Sequence, residues 1–231
     1  MQRILTTLVA MLAVCTTAVA NVIQQQERTL EAFNSIASYG SFQITVTFGN
    51  EHSVSLSGKA EDLADVETVV KNNALAIRFK NITKKGGHGK VAVQVSMATL
   101  KNIALYGSGY IKAGAVSSST ELNIGIYGSG LVQLDNLAVN EVNVSIAGSG
   151  DVMLQGATEE LNVQVNGSGK LDAKQLACSE VNIAMNGSGN VTVQANKELN
   201  ASINGSGKVR YTGTTTSVNV SGSKKAQVVR I

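Results

Sequence analysis

The chain has 231 residues, with 19 basic and 16 acidic side chains, and it contains neither proline nor tryptophan. This length can bury a sizeable core in one domain or two small ones. The near-neutral charge argues against a nucleic-acid partner, because such partners select a strongly basic surface. Aromatic residues make up only 4% of the chain, which weakens a case for sugar or base stacking.

The first twenty residues predict a signal peptide. Arg3 supplies a positive charge, residues 4–14 are mostly apolar, and Ala18-Val19-Ala20 fits the rule for cleavage between small residues. The apolar stretch is shorter than the roughly 20 residues that cross a bilayer, and no later stretch predicts a membrane helix. We therefore expect an exported protein in the periplasm, on the outer-membrane surface or outside the cell.

The two cysteines have different expected roles. Cys15 lies inside the predicted signal peptide, and the sequence before it resembles a lipoprotein signal only loosely because Val14 is bulky. Cleavage after Ala20 leaves Cys178 as a single thiol, which cannot form a disulfide within its own fold. We expect Cys178 to be a small buried side chain rather than a reactive group.

Residues 21–105 form a β-rich region without a clear repeat. Alternating apolar and polar residues predict strands at residues 42–48, 53–57, 74–79 and 90–95. Residues 61–70 are compatible with a loop or a helical turn. We expect this region to cover the N-terminal end of a repeat domain, since an uncovered sheet edge promotes aggregation.

A Gly-Ser repeat occupies residues 106–231, and apolar residues alternate on both sides of each glycine, which is typical of strands. The repeats begin at Gly107, Gly128, Gly148, Gly167, Gly187, Gly205 and Gly222. Successive hairpins or a parallel β-solenoid with about 20 residues per coil would each give this pattern. The return of one residue type at the same phase favours the solenoid, because equivalent residues then stack about 4.8 Å apart. Glycine at each corner permits a positive φ or close backbone contact.

A combination of motifs extends over nearly all of the predicted mature chain. It comprises residues 28–36, Leu56-Ser57-Gly58-Lys59-Ala60, residues 100–103 leading into Tyr106-Gly107-Ser108-Gly109, and the Gly-Ser-Gly repeat that follows. In this combination the chain resembles the bacterial family of putative autotransporter-adhesin head domains. The resemblance implies a right-handed parallel β-helix in the cell envelope, without established catalytic residues. The chain ends at Ile231 without a translocator barrel, so we do not expect it to export itself as a true autotransporter does.

Three sets of polar residues recur at fixed phase and are the candidate surface-binding residues. The acidic set is Glu121, Glu141, Glu160, Glu180 and Glu198. The amide set is Asn123, Asn143, Asn162, Asn182, Asn200 and Asn219. Tyr106 and Tyr127 precede two successive corners and are expected to stack. The acidic set could be a solvated rim or a weak strip for cations or basic partners, and the amide set could form a hydrogen-bonded ladder.

No pattern in the chain predicts catalysis, a metal or a cofactor. His52 and His88 lack metal-ligand spacing, and no Gly-x-Ser-x-Gly elbow is present. The basic loop at residues 83–90 departs from the phosphate-binding loop pattern and is expected to be a flexible surface loop. We therefore expect a non-enzymatic envelope module that binds glycan, matrix or protein, with a polysaccharide-acting enzyme or a periplasmic scaffold as alternatives.

Overall fold

The computed structural model describes residues 23–117 and 120–231, so the predicted signal peptide lies outside the described residues. The fold is an all-β solenoid. Its nine N-terminal strands are β1 (Ile23–Thr29), β2 (Ser35–Tyr39), β3 (Gln43–Phe48), β4 (Ser53–Lys59), β5 (Val66–Lys71), β6 (Ala74–Phe79), β7 (Ala92–Met97), β8 (Asn102–Gly107) and β9 (Tyr110–Gly114). A short helix, α1 (Ala60–Asp65), lies between β4 and β5.

The repeat region forms the remaining strands. They are β10 (Glu121–Gly128), β11 (Leu131–Gly148), β12 (Asp151–Gly167), β13 (Lys170–Gly187), β14 (Asn190–Gly205), β15 (Lys208–Thr212), β16 (Ser217–Gly222) and β17 (Gln227–Arg230). Neighbouring repeats pair in parallel and in register, as in the pairing of Glu121 with Glu141 and of Glu141 with Glu160. The predicted solenoid with about 20 residues per coil is confirmed, and the hairpin alternative is wrong.

Apolar columns fill the interior of the solenoid. In one column Ile124, Val144 and Val163 occupy successive coils, and each is less than 5% exposed. Each coil buries its inward face against the coils on either side of it. Stability is therefore shared between neighbouring coils, as in other repeat proteins.

The Gly-Ser-Gly corners stack on one another. The first glycine of each corner has a positive φ, for example +124° at Gly148. A Cβ on Gly148 would lie 2.6 Å from the carbonyl oxygen of Gly128 in the preceding coil. That same oxygen accepts a 2.9 Å hydrogen bond from the Ser149 amide. Glycine is thus required both for backbone conformation and for the close stacking of the corners.

The N-terminal region extends the same columns, in an order that differs from the order of the chain. The β2–β3 coil lies beside the β8–β9 coil, and the later β6–β7 coil lies outside it, with every pairing parallel. Strands β4 and β5 then pair antiparallel with β7 and β6, and β1 pairs with β4. These antiparallel strands cover the outermost coil, which blunts its edge against further pairing.

The basic loop at residues 83–90 is anchored at this end, in contrast to the flexible loop expected from its sequence. Lys84 Nζ lies 2.8 Å from the carboxylate of Asp62, which is 1% exposed. This hydrogen bond holds the pKa of Asp62 below its usual value, and the same bond, together with the nearby carboxylates, raises the pKa of Lys84. His88 Nε2 contacts Asp65 at 2.5 Å, and its ring stacks on Phe79.

Candidate functional site

Four rows of outward side chains run along one face of the solenoid, on strands β2, β8, β10 and β16 and on the C-terminal halves of β11–β14. The acidic row holds the five predicted glutamates. The amide row is Asn102, Asn123, Asn143, Asn162, Asn182, Asn200 and Asn219. The floor row is Ala104, Gly125, Ser145, Gln164, Ala184, Ser202 and Ser221. The rim row is Tyr39, Tyr106, Tyr127, Ala147, Asn166, Asn186 and Asn204.

The amide row is a hydrogen-bonded ladder, as predicted. Asn162 Nδ2 donates to Asn143 Oδ1 at 3.1 Å, and Asn182 donates to Asn162 at 3.1 Å. Asn200 and Asn219 continue the ladder with bonds of 3.0 and 2.9 Å. The ladder also extends beyond the predicted set, since Asn123 donates to Asn102 and Asn102 donates to Ser35 Oγ. Paired parallel strands hold these amides one coil apart.

The acidic row is joined to this ladder by further hydrogen bonds from the amide nitrogens. Asn143 Nδ2 donates to Glu141 Oε1 at 3.0 Å and to Glu121 Oε1 at 3.2 Å. Asn182 bonds Glu180 and Glu160 in the same way. These neutral donors lie between successive carboxylates and reduce the repulsion expected within a column of like charges.

The acidic row does not have the two-sided arrangement of carboxylates that a glycosidase uses. A glycosidase places its two carboxyl groups on either side of the scissile bond, whereas these carboxylates occupy a single column on one side of the floor row. Within residues 23–117 and 120–231, no group of three or more His, Cys, Asp or Glu is placed to hold a metal ion.

Three tyrosines form a continuous stack in the rim row. The predicted pair Tyr106 and Tyr127 stacks at 4.8 Å between ring centroids, with an angle of 12° between the rings. Tyr39 joins on the other side at 4.7 Å and 2°. Burial and the neighbouring hydroxyls of Tyr39 and Tyr127 raise the pKa of Tyr106. Sequence analysis missed Tyr39, because β2 lies next to β8 only through the non-sequential order of the coils.

A groove, which we call the ladder groove, lies over the floor row beside the amide row, and Tyr127 is the member of the rim row that lines it. Most of the exposed surface of its lining is apolar. Its volume is about 850 Å³, and it extends over seven coils from Asn102 to Ser221. Its lining residues are asparagine, glutamine, serine, tyrosine and small or aliphatic residues, and all of them are uncharged. The tyrosine stack lies at the N-terminal end of this groove. The arrangement suits an extended, uncharged ligand that runs along the solenoid axis.

The other outward face of the same coils has no such repetition. Successive coils there carry Lys112, Gln133, Met153, Asp172, Thr192 and Arg210 at one position. Charge and size change at nearly every step. The regular polar rows are therefore a property of one face, although both faces belong to the same repeating backbone.

Cys178 is fully buried, which confirms the structural role expected for it. Its Sγ contacts the carbonyl oxygen of Leu176 at 3.3 Å. Burial disfavours the charged thiolate and raises the pKa of the thiol to about 12.

We expect the folded protein to resist alkylation of Cys178 at pH 8, because the thiolate is the reactive form and is scarce below the raised pKa. The measurement is mass spectrometry after iodoacetamide treatment, with and without guanidinium. Labelling should appear only after unfolding. Equally fast labelling of the folded and unfolded protein would contradict the assigned burial.

No helix in the described part of the chain is long and apolar enough to cross a membrane. No protein of curated function matches the sequence. Solved structures do share the fold. A putative adhesin from Bacteroides fragilis aligns over 92% of this chain and 98% of its own, with 22% identity and a TM-score of 0.80.

Two structures from Parabacteroides distasonis are also similar. One is named a putative adhesin (20% identity, TM-score 0.71, covering 92% of this chain and 98% of its own). The other is named a putative lipid binding protein (20% identity, TM-score 0.66, covering 90% and 96%). At these identities the likeness concerns the fold. The family model described as "Putative auto-transporter adhesin, head GIN domain" matches residues 32–215, and the chain therefore belongs to that family.

Proposed function

We propose that the protein is an exported, non-catalytic binding module of the cell envelope, and that the ladder groove is its ligand-binding surface. The observation that carries the proposal is the groove itself, with uncharged walls repeated over seven coils. Repetition at a fixed step allows many weak contacts to one extended ligand, and such contacts add up to useful affinity. The adhesin name of the family supports a binding role, and the predicted signal peptide supports export.

The alternatives from the sequence have less support. An enzyme acting on polysaccharide would need acid and base groups on both sides of a bound chain, and the acidic row provides carboxylates on one side. A lipid acyl chain, which the name of one similar structure suggests, would contact the aliphatic part of the lining but not the amide row. A pure scaffold role would leave the difference between the two outward faces without a reason.

The proposal is tested by blocking the groove in the intact protein. Ala184 is an exposed residue of the floor row, so Ala184→Arg places a long charged side chain in the groove. Met153→Arg adds the same charge on the other outward face, where Met153 is 37% exposed. We expect Ala184→Arg to reduce retention of the protein on purified bacterial envelopes by about tenfold or more, while Met153→Arg binds as wild type does. Equal retention of both variants, or equal loss, would overturn the proposal.

A further inference from the structure

The rim row lacks a long side chain at Ala147, and we call the space above this residue the vacant step. Its register neighbours are Tyr127 in the preceding coil and Asn166 in the following coil. Both neighbours carry flat groups that extend outward, whereas Ala147 ends at a methyl group. Two coil steps separate the tyrosine ring from the amide, which is about 9 to 10 Å. A flat ring placed midway would lie about 4.8 Å from each, the separation at which the tyrosines themselves stack.

A repeating interaction stops on each side of the vacant step: the tyrosine stack on one side and an amide ladder on the other. One face of the Tyr127 ring is covered by Tyr106, and the other faces the space above Ala147, so the residue is 46% exposed. The ring also leans over the groove, because a Cβ on Gly125 would lie 3.0 Å from Tyr127 Cε2. Gly125 thus leaves room for the ring to reach the floor row. The uncovered face of the last tyrosine in the stack therefore borders the groove as well as bulk solvent.

On the opposite side, the second amide ladder begins with a free donor. Asn204 donates to Asn186 at 3.3 Å, and Asn186 donates to Asn166 at 3.1 Å. Each amide therefore donates toward the preceding coil. For Asn166 the preceding residue of the row is Ala147, which has no side-chain acceptor, and no other described residue accepts from Asn166 Nδ2. If Asn166 follows the direction of the other amides in its row, its donor faces the vacant step.

We propose that the step above Ala147 is a subsite for one pyranose ring of a neutral glycan that binds at the ladder groove, an inference that rests on the proposed function. The ring would continue the stack on Tyr127 and accept a hydrogen bond from Asn166 through a hydroxyl or ring oxygen. An uncharged lining matches a neutral glycan, and the adjoining acidic row disfavours an anionic polymer. A single aromatic side chain of a protein would fill the step but would leave the rest of the groove, with its amide row, unoccupied.

This subsite revises one expectation from composition. A low aromatic content argued against sugar stacking, but three of the five tyrosines are gathered into one stack that ends beside the groove. Stacking on a flat ring depends on where the ring is exposed, and the overall aromatic content does not report that.

The test uses cellohexaose, chitohexaose, mannohexaose and maltohexaose as probes, with N-acetyltyrosinamide representing an aromatic protein side chain. Binding is followed by the NMR signal of the Asn166 side-chain amide in the full-length mature protein. We expect at least one hexasaccharide to shift this signal. Ala147→Asn fills the step with the next member of the amide ladder, and Tyr127→Ala removes the stacking face. Each should weaken binding by about tenfold or more.

Two controls separate loss of the subsite from loss of the fold. Ala147→Asn completes a ladder, so its melting temperature should equal or exceed that of wild type. Tyr39→Ala removes the opposite end of the same stack, away from the vacant step, and should change affinity by less than about twofold.

The outcomes also separate this inference from the proposed function. Undiminished hexasaccharide binding by Ala147→Asn would overturn the subsite while the groove, tested independently on envelopes, stands. A response to N-acetyltyrosinamide alone, or to none of the five probes, would overturn the assignment of a neutral glycan. If Ala184→Arg and Met153→Arg were retained equally on envelopes, the assignment of the groove as the binding surface would itself be wrong.

Discussion

The Val144→Asp variant should lose its cooperative thermal transition or unfold far below the wild-type temperature. Val144 is 2% exposed and lies between Ile124 and Val163 in an apolar column. A carboxylate there loses its hydration without gaining a partner, and we expect a cost of about 4 kcal/mol or more. Since each coil is stabilised by its neighbours, the coils on both sides should unfold with it. Circular dichroism during heating provides the measurement.

Ser145→Asp is the matched control for this variant. Ser145 is the next residue of the same strand and belongs to the floor row on the outward face. The same carboxylate remains hydrated there, so the melting temperature should change by only a few degrees. If both variants melted at the same temperature, the assignment of inward and outward faces would be wrong.

Gly148→Ala should destabilise the protein by about 3 kcal/mol or more, although the substitution adds a single methyl group. Two costs combine, because φ at Gly148 is +124° and the new Cβ would lie 2.6 Å from the carbonyl oxygen of Gly128. The corner would have to separate from the preceding corner, which weakens the hydrogen bond from Ser149 to the same oxygen. Chemical denaturation with guanidinium measures the loss in free energy of unfolding.

Gly114→Ala provides the comparison, since no heavy atom lies within 4 Å of the added Cβ and its φ lies outside the strained positive range. Its free energy of unfolding should differ from wild type by less than about 1 kcal/mol. A similar loss in both variants would show that the corner glycines have no special role.

The repeat region could be predicted from sequence because its fold is encoded locally. Equivalent residues return at the same phase in each repeat: the corner glycine, the alternating apolar residues, and the glutamate and asparagine. Parallel stacking is the arrangement that places equivalent residues of successive repeats next to each other. The buried position of Cys178 followed from its isolation.

The N-terminal region could not be predicted in the same way. Residues 35–48 lie between coils formed by later residues, and no periodicity in the sequence marks this order. Tyr39 joins its row only through that order, whereas Asn102 pairs with Asn123 in the next coil along the chain and shares the phase of the repeat. The vacant step at Ala147 is visible in the sequence as an alanine between tyrosines and asparagines, but its meaning depends on the direction of the amide hydrogen bonds, which only the structure provides.

The central claim is that the ladder groove is the surface that binds envelope material. It is tested most directly by adding solubilised envelope polysaccharide to the isotope-labelled protein and recording the side-chain amide signals of both outward faces. We expect changes at Gln164, Asn162 and Asn182, which line the groove, with the signal of Gln133 on the other face unchanged. Changes at Gln133 with none in the groove, or no change on either face, would contradict it.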